Sequence, residues 1–338
     1  MVLPIICCWV CFGVLSITNF SKFKGYQILL LFFGIVLIII ATLRPSDMPD
    51  WRNYYHFFNS TQPGRFEAGF LAIRNFVKSN TNNFLVLLFL MASLSISVKI
   101  WCISKMTPLI WLSMMVYISN IFVLHDMIQI RAAVASGMLL LAVFYKVRSQ
   151  FIPFIVTTII AFLFHYSAIL ILPIWFLSNT RRDYFYLWLI PIGYTCAMCD
   201  IYLTQLLTLL RLDFIENTLQ MYGTLIDSEM NIFNIVQLLR CVLCFWFWYK
   251  INIISSRSEY AIILLKIYTI GIAAIPFFSN LPVAAFRISE LYLVVEILLL
   301  PLLLYSVNPQ KRIVGKFSIL SLSSMFLFLN ILYLNILK

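Results

Sequence analysis

Apolar residues run along this chain in long uninterrupted stretches, joined by short polar connections. The stretches fall at about 3–18, 26–43, 83–98, 108–124, 129–144, 151–178, 184–200, 232–249, 260–279, 288–305 and 317–336. Most approach the length of about 20 residues that carries a helix across a hydrocarbon core roughly 30 Å thick. Membrane strands would instead alternate apolar and polar positions over segments of about ten residues. The pattern therefore predicts an all-α fold, a polytopic integral membrane helical bundle of about 11–12 transmembrane segments. It reads as a single membrane-embedded domain over 1–338 with two longer polar connections, 44–82 and 201–231.

One stretch is too long. At about 1.5 Å per residue, 151–178 would extend to roughly 42 Å as a single helix. Splitting it at His165 into 151–164 and 166–178 makes twelve segments, and the charges then sort by side. Lys22, Lys24, Lys99, Lys105, Lys146, Arg148, Arg181, Arg182, Lys250, Arg257, Lys311, Arg312 and Lys316 fall on one side, with only Asp183 and Glu259 opposing them. The other side receives Asp200 and, in the 201–231 connection that follows it, Asp213, Glu216, Asp227 and Glu229, with Arg211. Basic connections stay cytoplasmic, so the split places both termini, the 44–82 loop and His165 on the external side. A single helix would invert everything after it.

Composition agrees with a membrane class. The 338 residues are 62% hydrophobic and 11% charged, against about 25% charged in a soluble domain. The net charge of +11 comes from basic residues scattered singly and in pairs between apolar spans. That is the positive-inside pattern rather than a nucleic-acid surface, so no nucleic-acid partner is expected. The pairs Cys8/Cys11, Cys196/Cys199 and Cys241/Cys244 fit C-x-x-C, but each lies in an apolar span. There the spacing puts two small residues on one helix face, without the polar surroundings of a zinc site. No metal or cofactor is expected. Val2 to Leu15 is apolar with no small-residue cleavage site after it, so no removable leader is expected.

Candidate chemistry gathers in the external connections. RPSDMPDWRNYYHFF supplies Arg44, Asp47, Asp50, Arg52, Tyr54 and His56, and PGRFEAGF adds Arg65 and Glu67. A plain reading of this loop is an amphipathic segment on the bilayer surface, anchored by Trp51, Tyr54, Tyr55 and Phe57. LHDMIQIRAAVASG places Asp126 and Arg131 at a helix start, where the two could pair despite a poor spacing of five. LPVAAFRISELY places Arg287 three residues from Glu290, within reach of a local ion pair. Arg240 and Glu296 lie deeper in their spans, where charges are expensive and face the bundle interior. Arginines with a few carboxylates and a histidine suit phosphate oxygens and a hydroxyl that must lose a proton. No Asp-x-Asp stands in the outer loops, and no Walker loop, H-E-x-x-H or G-x-S-x-G occurs. Nucleotide-sugar, ATP, metalloprotease and serine-hydrolase chemistries gain no support.

Five motifs in order carry a family resemblance. D-W-R-N-Y (Asp50–Tyr54), F-E-A-G-F (Phe66–Phe70), I-R-A-A-V-A (Ile130–Ala135), F-H-Y-S-A-I-L (Phe164–Leu170) and F-R-I-S-E-L-Y (Phe286–Tyr292) together resemble EpsG-like membrane proteins. Those belong with the Wzy-type polymerases of bacterial surface polysaccharides. Ala68 stands where the second motif commonly has proline. The resemblance implies joining of undecaprenyl-pyrophosphate-linked oligosaccharide repeats into O-antigen, capsule or exopolysaccharide, outside the bacterial cytoplasmic (inner) membrane. It implies partners in lipid and in a flippase and a chain-length regulator of the same pathway. By position it points to Asp50, Glu67 and His165 as catalytic. It points to Arg131 and Arg287, with Arg52 and Arg65, as binding the pyrophosphate-linked substrate.

Other membrane proteins use such substrates. A lipid-linked sugar flippase also suits twelve helices with buried charges, although the halves show no internal repeat and the first loop is one-sided. A polysaccharide ligase differs only in its acceptor. A membrane acyltransferase would place a histidine at or below mid-membrane, whereas His56, His125 and His165 all map outside.

Overall fold

The computed structural model describes residues 2–18, 25–60, 66–201 and 230–333. Every regular element among these residues is helical. Five helices are long and apolar enough to cross a membrane, and seven shorter apolar helices accompany them. The chain is a polytopic helical membrane bundle, as the apolar periodicity predicts. Its helices group into two compact units: Met1–Leu172 with Glu296–Lys338, and Pro173–Val295.

The first unit opens with α1 (Val2–Ile17) and α2 (Tyr26–Thr42). Two short helices follow in the first long loop, α3 (Trp51–Asn59) and α4 (Ala68–Asn80). Next comes α5 (Phe84–Met106), started by the Asn83 side chain, which accepts from the Leu85 amide at 2.9 Å. A composite helix runs as α6 (Ile110–Val116) and then as a wider π-helix (Tyr117–Asp126). Then come α7 (Ile130–Val147) and α8 (Phe151–Phe164). α2, α1 and the composite helix meet through Phe12, whose ring lies 4.8 Å from Phe33 and 6.1 Å from Trp111. At the α5–α7 crossing, a Cβ on Gly137 would sit 3.3 Å from the Ser95 carbonyl, so glycine sets how closely these helices approach. Opposite faces of α2 and α8 expose Ile28, Leu31, Ile152 and Ile159, the apolar outer surface that a bilayer covers.

The 151–178 run is two segments, as the charge pattern predicts. α8 ends at Phe164, His165 is extended (φ −156°, ψ 122°), and a 3₁₀ helix resumes over Tyr166–Phe176. The carboxyl-terminal part of the unit is α13 (Glu296–Leu299), a 3₁₀ segment (Leu300–Ser306) and α14 (Arg312–Phe328). Lys316 Nζ donates to the Ser16 and Ile17 carbonyls at 2.5 and 3.2 Å, closing the end of α1.

The second unit holds α9 (Leu189–Met198), α10 (Ile235–Ser255), α11 (Ala261–Phe277) and α12 (Pro282–Leu293). α11 is its core and packs on the other three. Cβ atoms on Gly193 and Gly271 would lie 3.1 Å from Pro276 and 3.0 Å from Tyr292. Lys266 on α11 is fully buried and donates to Asp183 Oδ2 at 2.6 Å and to the Ser178 carbonyl at 2.8 Å. Cys241 and Cys244 pack inside the unit, with Cys244 Sγ 3.2 Å from Thr269 Oγ1.

One predicted boundary needs correction. The stretch 83–98 ends before Lys99, which was assigned to a cytoplasmic connection. In the structure α5 continues to Met106 and Lys99 is fully buried within it. A hydropathy window registers the charge but not the carboxylate from another helix that neutralises it. Thr107, ahead of Pro108, ends the helix instead, because a residue before proline is driven out of helical geometry. The 201–231 region lies almost wholly outside the described residues.

Candidate functional site

The site is built from the first long loop upward. Asp50 enters α3 in the left-handed region (φ 61°) and accepts from Asn53 Nδ2 at 3.2 Å. α3 is amphipathic, as expected, but its aromatics divide. Tyr54, Phe57 and Phe58 are buried against protein, and only Trp51 and Tyr55, stacked at 5.0 Å, remain toward the outside. The expectation that Tyr54 and Phe57 are bilayer anchors is therefore corrected. Phe57 stacks on Phe66 and Phe70 from the start of α4 (centroids 3.8 and 6.0 Å). Arg74 of α4 then closes the open end of α3. Its Nη2 donates to the carbonyls of Phe57 (3.1 Å), Phe58 (3.3 Å) and Ser60, and its Cζ lies 4.9 Å from the Phe57 ring centre. The two short helices become one rigid piece.

That piece meets the end of α8 at Gly69. A Cβ there would lie 2.8 Å from the Leu163 carbonyl oxygen, closer than real side chains come. Only glycine lets the first turn of α4 rest on the last turn of α8. Glu67 and His165 each lie two residues from this contact, and they meet: His165 Nδ1 is 3.2 Å from Glu67 Oε1. The other carboxylate oxygen, Oε2, accepts from Arg131 Nη1. Arg131 stands at the second position of α7. Its guanidinium lies over the Phe66 ring at 4.7 Å and the Tyr54 and Phe70 rings at 5.9 Å. Aromatic faces attract such a cation and keep its fork aimed. The Glu67 side chain is 3% exposed, His165 12% and Arg131 21%, so the cluster opens outward through the histidine and arginine.

Behind it lies a second charged layer. Asp126, at the end of the π-helix, receives Lys99 Nζ on both oxygens at 2.9 Å, Ser95 Oγ at 2.5 Å and Tyr117 Oη at 2.9 Å. His125 Nδ1 lies 3.0 Å from Ser136 Oγ. The suggested Asp126–Arg131 pair is thus replaced by two pairs, Lys99–Asp126 and Arg131–Glu67. The turn between the π-helix and α7 is held by Arg44, whose Nη1 donates to the Met127 carbonyl at 2.6 Å.

Electrostatics follow from these contacts. Burial opposes ionisation of Glu67, but the hydrogen bond from His165 and the charge of Arg131 outweigh it, holding its carboxyl below the ordinary range. Burial pushes the Tyr54 phenol up despite Arg131 beside it. Burial also pushes Arg44 down to about 10, with Tyr54 and Asp126 acting in opposition. The Glu67 carboxylate is only an acceptor, so the contact sets the Nδ1–H tautomer of His165, which donates to Oε1 and leaves Nε2 as the free ring nitrogen. The cluster can therefore hold an oriented imidazole base beside a fixed guanidinium.

The family model described as EpsG family matches residues 27–337, nearly the whole chain. The chain belongs to the EpsG family. It is also similar to the amylovoran biosynthesis protein AmsC of Erwinia amylovora, with 24% identity over 348 aligned residues. That alignment covers 95% of this chain and 91% of the relative. No solved structure matches it.

In this EpsG-family chain the structure joins Glu67, Arg131 and His165, which stand in three separate sequence motifs. Asp50 sits at the exposed start of α3, and Arg52 is exposed on the same helix. Arg287 is half-buried on α12 of the second unit. Arg65 lies outside the described residues. Sequence reasoning missed Lys99, Tyr117 and Ser95 around Asp126, and Lys266 with Asp183. The available signal was a lone lysine with apolar residues on both sides, which inside a membrane usually means a buried partner.

Proposed function

We propose that the protein is a polysaccharide polymerase that joins lipid-linked oligosaccharide repeat units at the Glu67–Arg131–His165 cluster. The observation that carries this reading is the convergence of these side chains from three of the motifs by which the chain resembles Wzy-type polymerases. In the reaction a sugar hydroxyl of one repeat attacks the anomeric carbon of the growing chain. The bond from that carbon to the pyrophosphate oxygen breaks, and the lipid pyrophosphate leaves with the electron pair. His165 Nε2 takes the hydroxyl proton. Glu67 orients the imidazole through Nδ1 and stabilises the imidazolium that forms, as a carboxylate behind a histidine does. Arg131 stabilises negative charge growing on the leaving oxygen. Undecaprenyl pyrophosphate as carrier and the outer face of the inner membrane as location belong to the same proposal. Family membership and the amylovoran-biosynthesis relative support it.

The test is elongation of a synthetic pyrophosphate-lipid repeat by purified protein. Wild type lengthens the chain, and His165→Ala does not, while inserting to normal abundance. Elongation undiminished in His165→Ala would remove the mechanism. In cells, a deletion strain that shows a single repeat on its acceptor indicates lost polymerisation. One that shows no repeat at all points to a flippase or ligase instead.

A further inference from the structure

Arg44 has no role in the chemistry above, yet among the described residues it is the arginine with the most buried unpartnered nitrogens. It is 6% exposed, and one nitrogen, Nη1, is spent on the Met127 carbonyl. Its Nε and Nη2 are buried with no hydrogen-bond partner among the described residues, and Arg131 Nε is buried and unpartnered as well. Both guanidiniums act on one phenol: Arg131 stands 5.9 Å from the centre of the Tyr54 ring, and Arg44 reaches the hydroxyl through its charge. Asp126 and Glu67 already accept from Lys99 and Arg131, and no carboxylate pairs with Arg44 among the described residues. A buried guanidinium left without an anion is costly, and a free pair of N–H donors in one plane is the arrangement that phosphate oxygens fill.

We infer that Arg44 is an anion-binding residue, completed by a phosphate group that it shares with Arg131 across Tyr54. This inference rests on the proposed reading of the cluster and adds a ligand to it that the motifs do not include. The phosphate is that of a pyrophosphate-linked substrate or of a phospholipid headgroup, because both offer the same oxygens. Arg44 thereby ties the anion to the Met127 turn, three positions before α7 begins at Ile130 and four before Arg131.

The test uses the full chain in phosphatidylcholine nanodiscs, titrated with inorganic pyrophosphate by calorimetry. Arg44→Lys keeps a cation and a donor for Met127 but loses the planar fork, and it is expected to bind about tenfold more weakly at an unchanged unfolding temperature. Arg44→Gln is expected to lose binding further, and if it fails to accumulate, Arg44→Lys alone decides. Repeating the titration with phosphatidylglycerol in the disc separates the sources. Competition that disappears in Arg44→Lys assigns the site to the headgroup, and an unchanged titration assigns it to the pyrophosphate. Equal affinity of wild type and Arg44→Lys, with elongation intact, overturns the role of Arg44 and leaves the polymerase reading standing. Wild type that neither binds pyrophosphate nor elongates overturns both.

Discussion

Gly69→Ala separates the site from the stability of the fold. The added Cβ would stand 2.8 Å from the Leu163 carbonyl oxygen and 3.1 Å from Leu163 C and Cβ. The partner is backbone, so α4 has to move away by about 0.5 Å to restore ordinary contact. Glu67 and His165 flank this contact, and their hydrogen bond is already long at 3.2 Å. The same displacement carries it beyond about 3.6 Å, where it ceases to be a hydrogen bond. Overpacking costs about 1–3 kcal/mol, while alanine in place of glycine inside a helix returns roughly 1 kcal/mol. The net loss of stability is therefore about 0–2 kcal/mol. Activity falls further, about ten- to a hundredfold, because misplacement by a fraction of an ångström disorients the base. The assays are elongation rate and thermal unfolding on the same detergent-purified sample. Wild-type elongation in well-inserted Gly69→Ala would show that the Glu67–His165 contact does not matter to the chemistry.

Three more outcomes follow from the geometry. Lys99→Met leaves Asp126 buried with only Ser95 and Tyr117, and should destabilise by about 3–5 kcal/mol. Lys99→Met combined with Asp126→Asn should recover much of that loss in thermal unfolding, and no recovery would show that the pair is not coupled. Arg74→Gln frees the last carbonyls of α3, so hydrogen exchange of the Tyr54–Ser60 amides should accelerate about tenfold, a local loss of roughly 1.4 kcal/mol. Unchanged exchange refutes the cap. The carboxyl of Glu67 sits below its ordinary value of 4.5. Its stabilising contribution is therefore complete above that pH and is lost only as pH falls through the lower folded value. Difference infrared spectra of wild type against Glu67→Gln should show no protonated carboxyl between about pH 5 and 8; a band in that window contradicts the ion pair.

Much of the fold was legible because membrane helices must be apolar and long, and nothing else satisfies a backbone in lipid. The break at His165 was legible too, since a 151–178 helix would overrun the bilayer and scramble the charges. The Glu67–Arg131–His165 set was legible only as motifs in order; nothing in their spacing says that they touch. Lys99 was misplaced because its partner arrives from the π-helix, and no window along α5 contains Asp126. Tyr54 and Phe57 read as bilayer anchors in the sequence because aromatic residues among charges look alike whether lipid or protein covers them.

By itself the sequence determined the all-helical membrane class and the split of 151–178. Each depends on length, hydrophobicity and charge, which accumulate residue by residue along the chain. Tertiary structure decided which charge meets which. Asp126 goes to Lys99 of α5, which lies against α7 at Gly137, and Glu67 meets His165 where α4 lies against α8 at Gly69. Ion pairing depends on separations of a few ångströms between helices, and those are fixed by backbone approach at two glycines rather than by distance along the sequence.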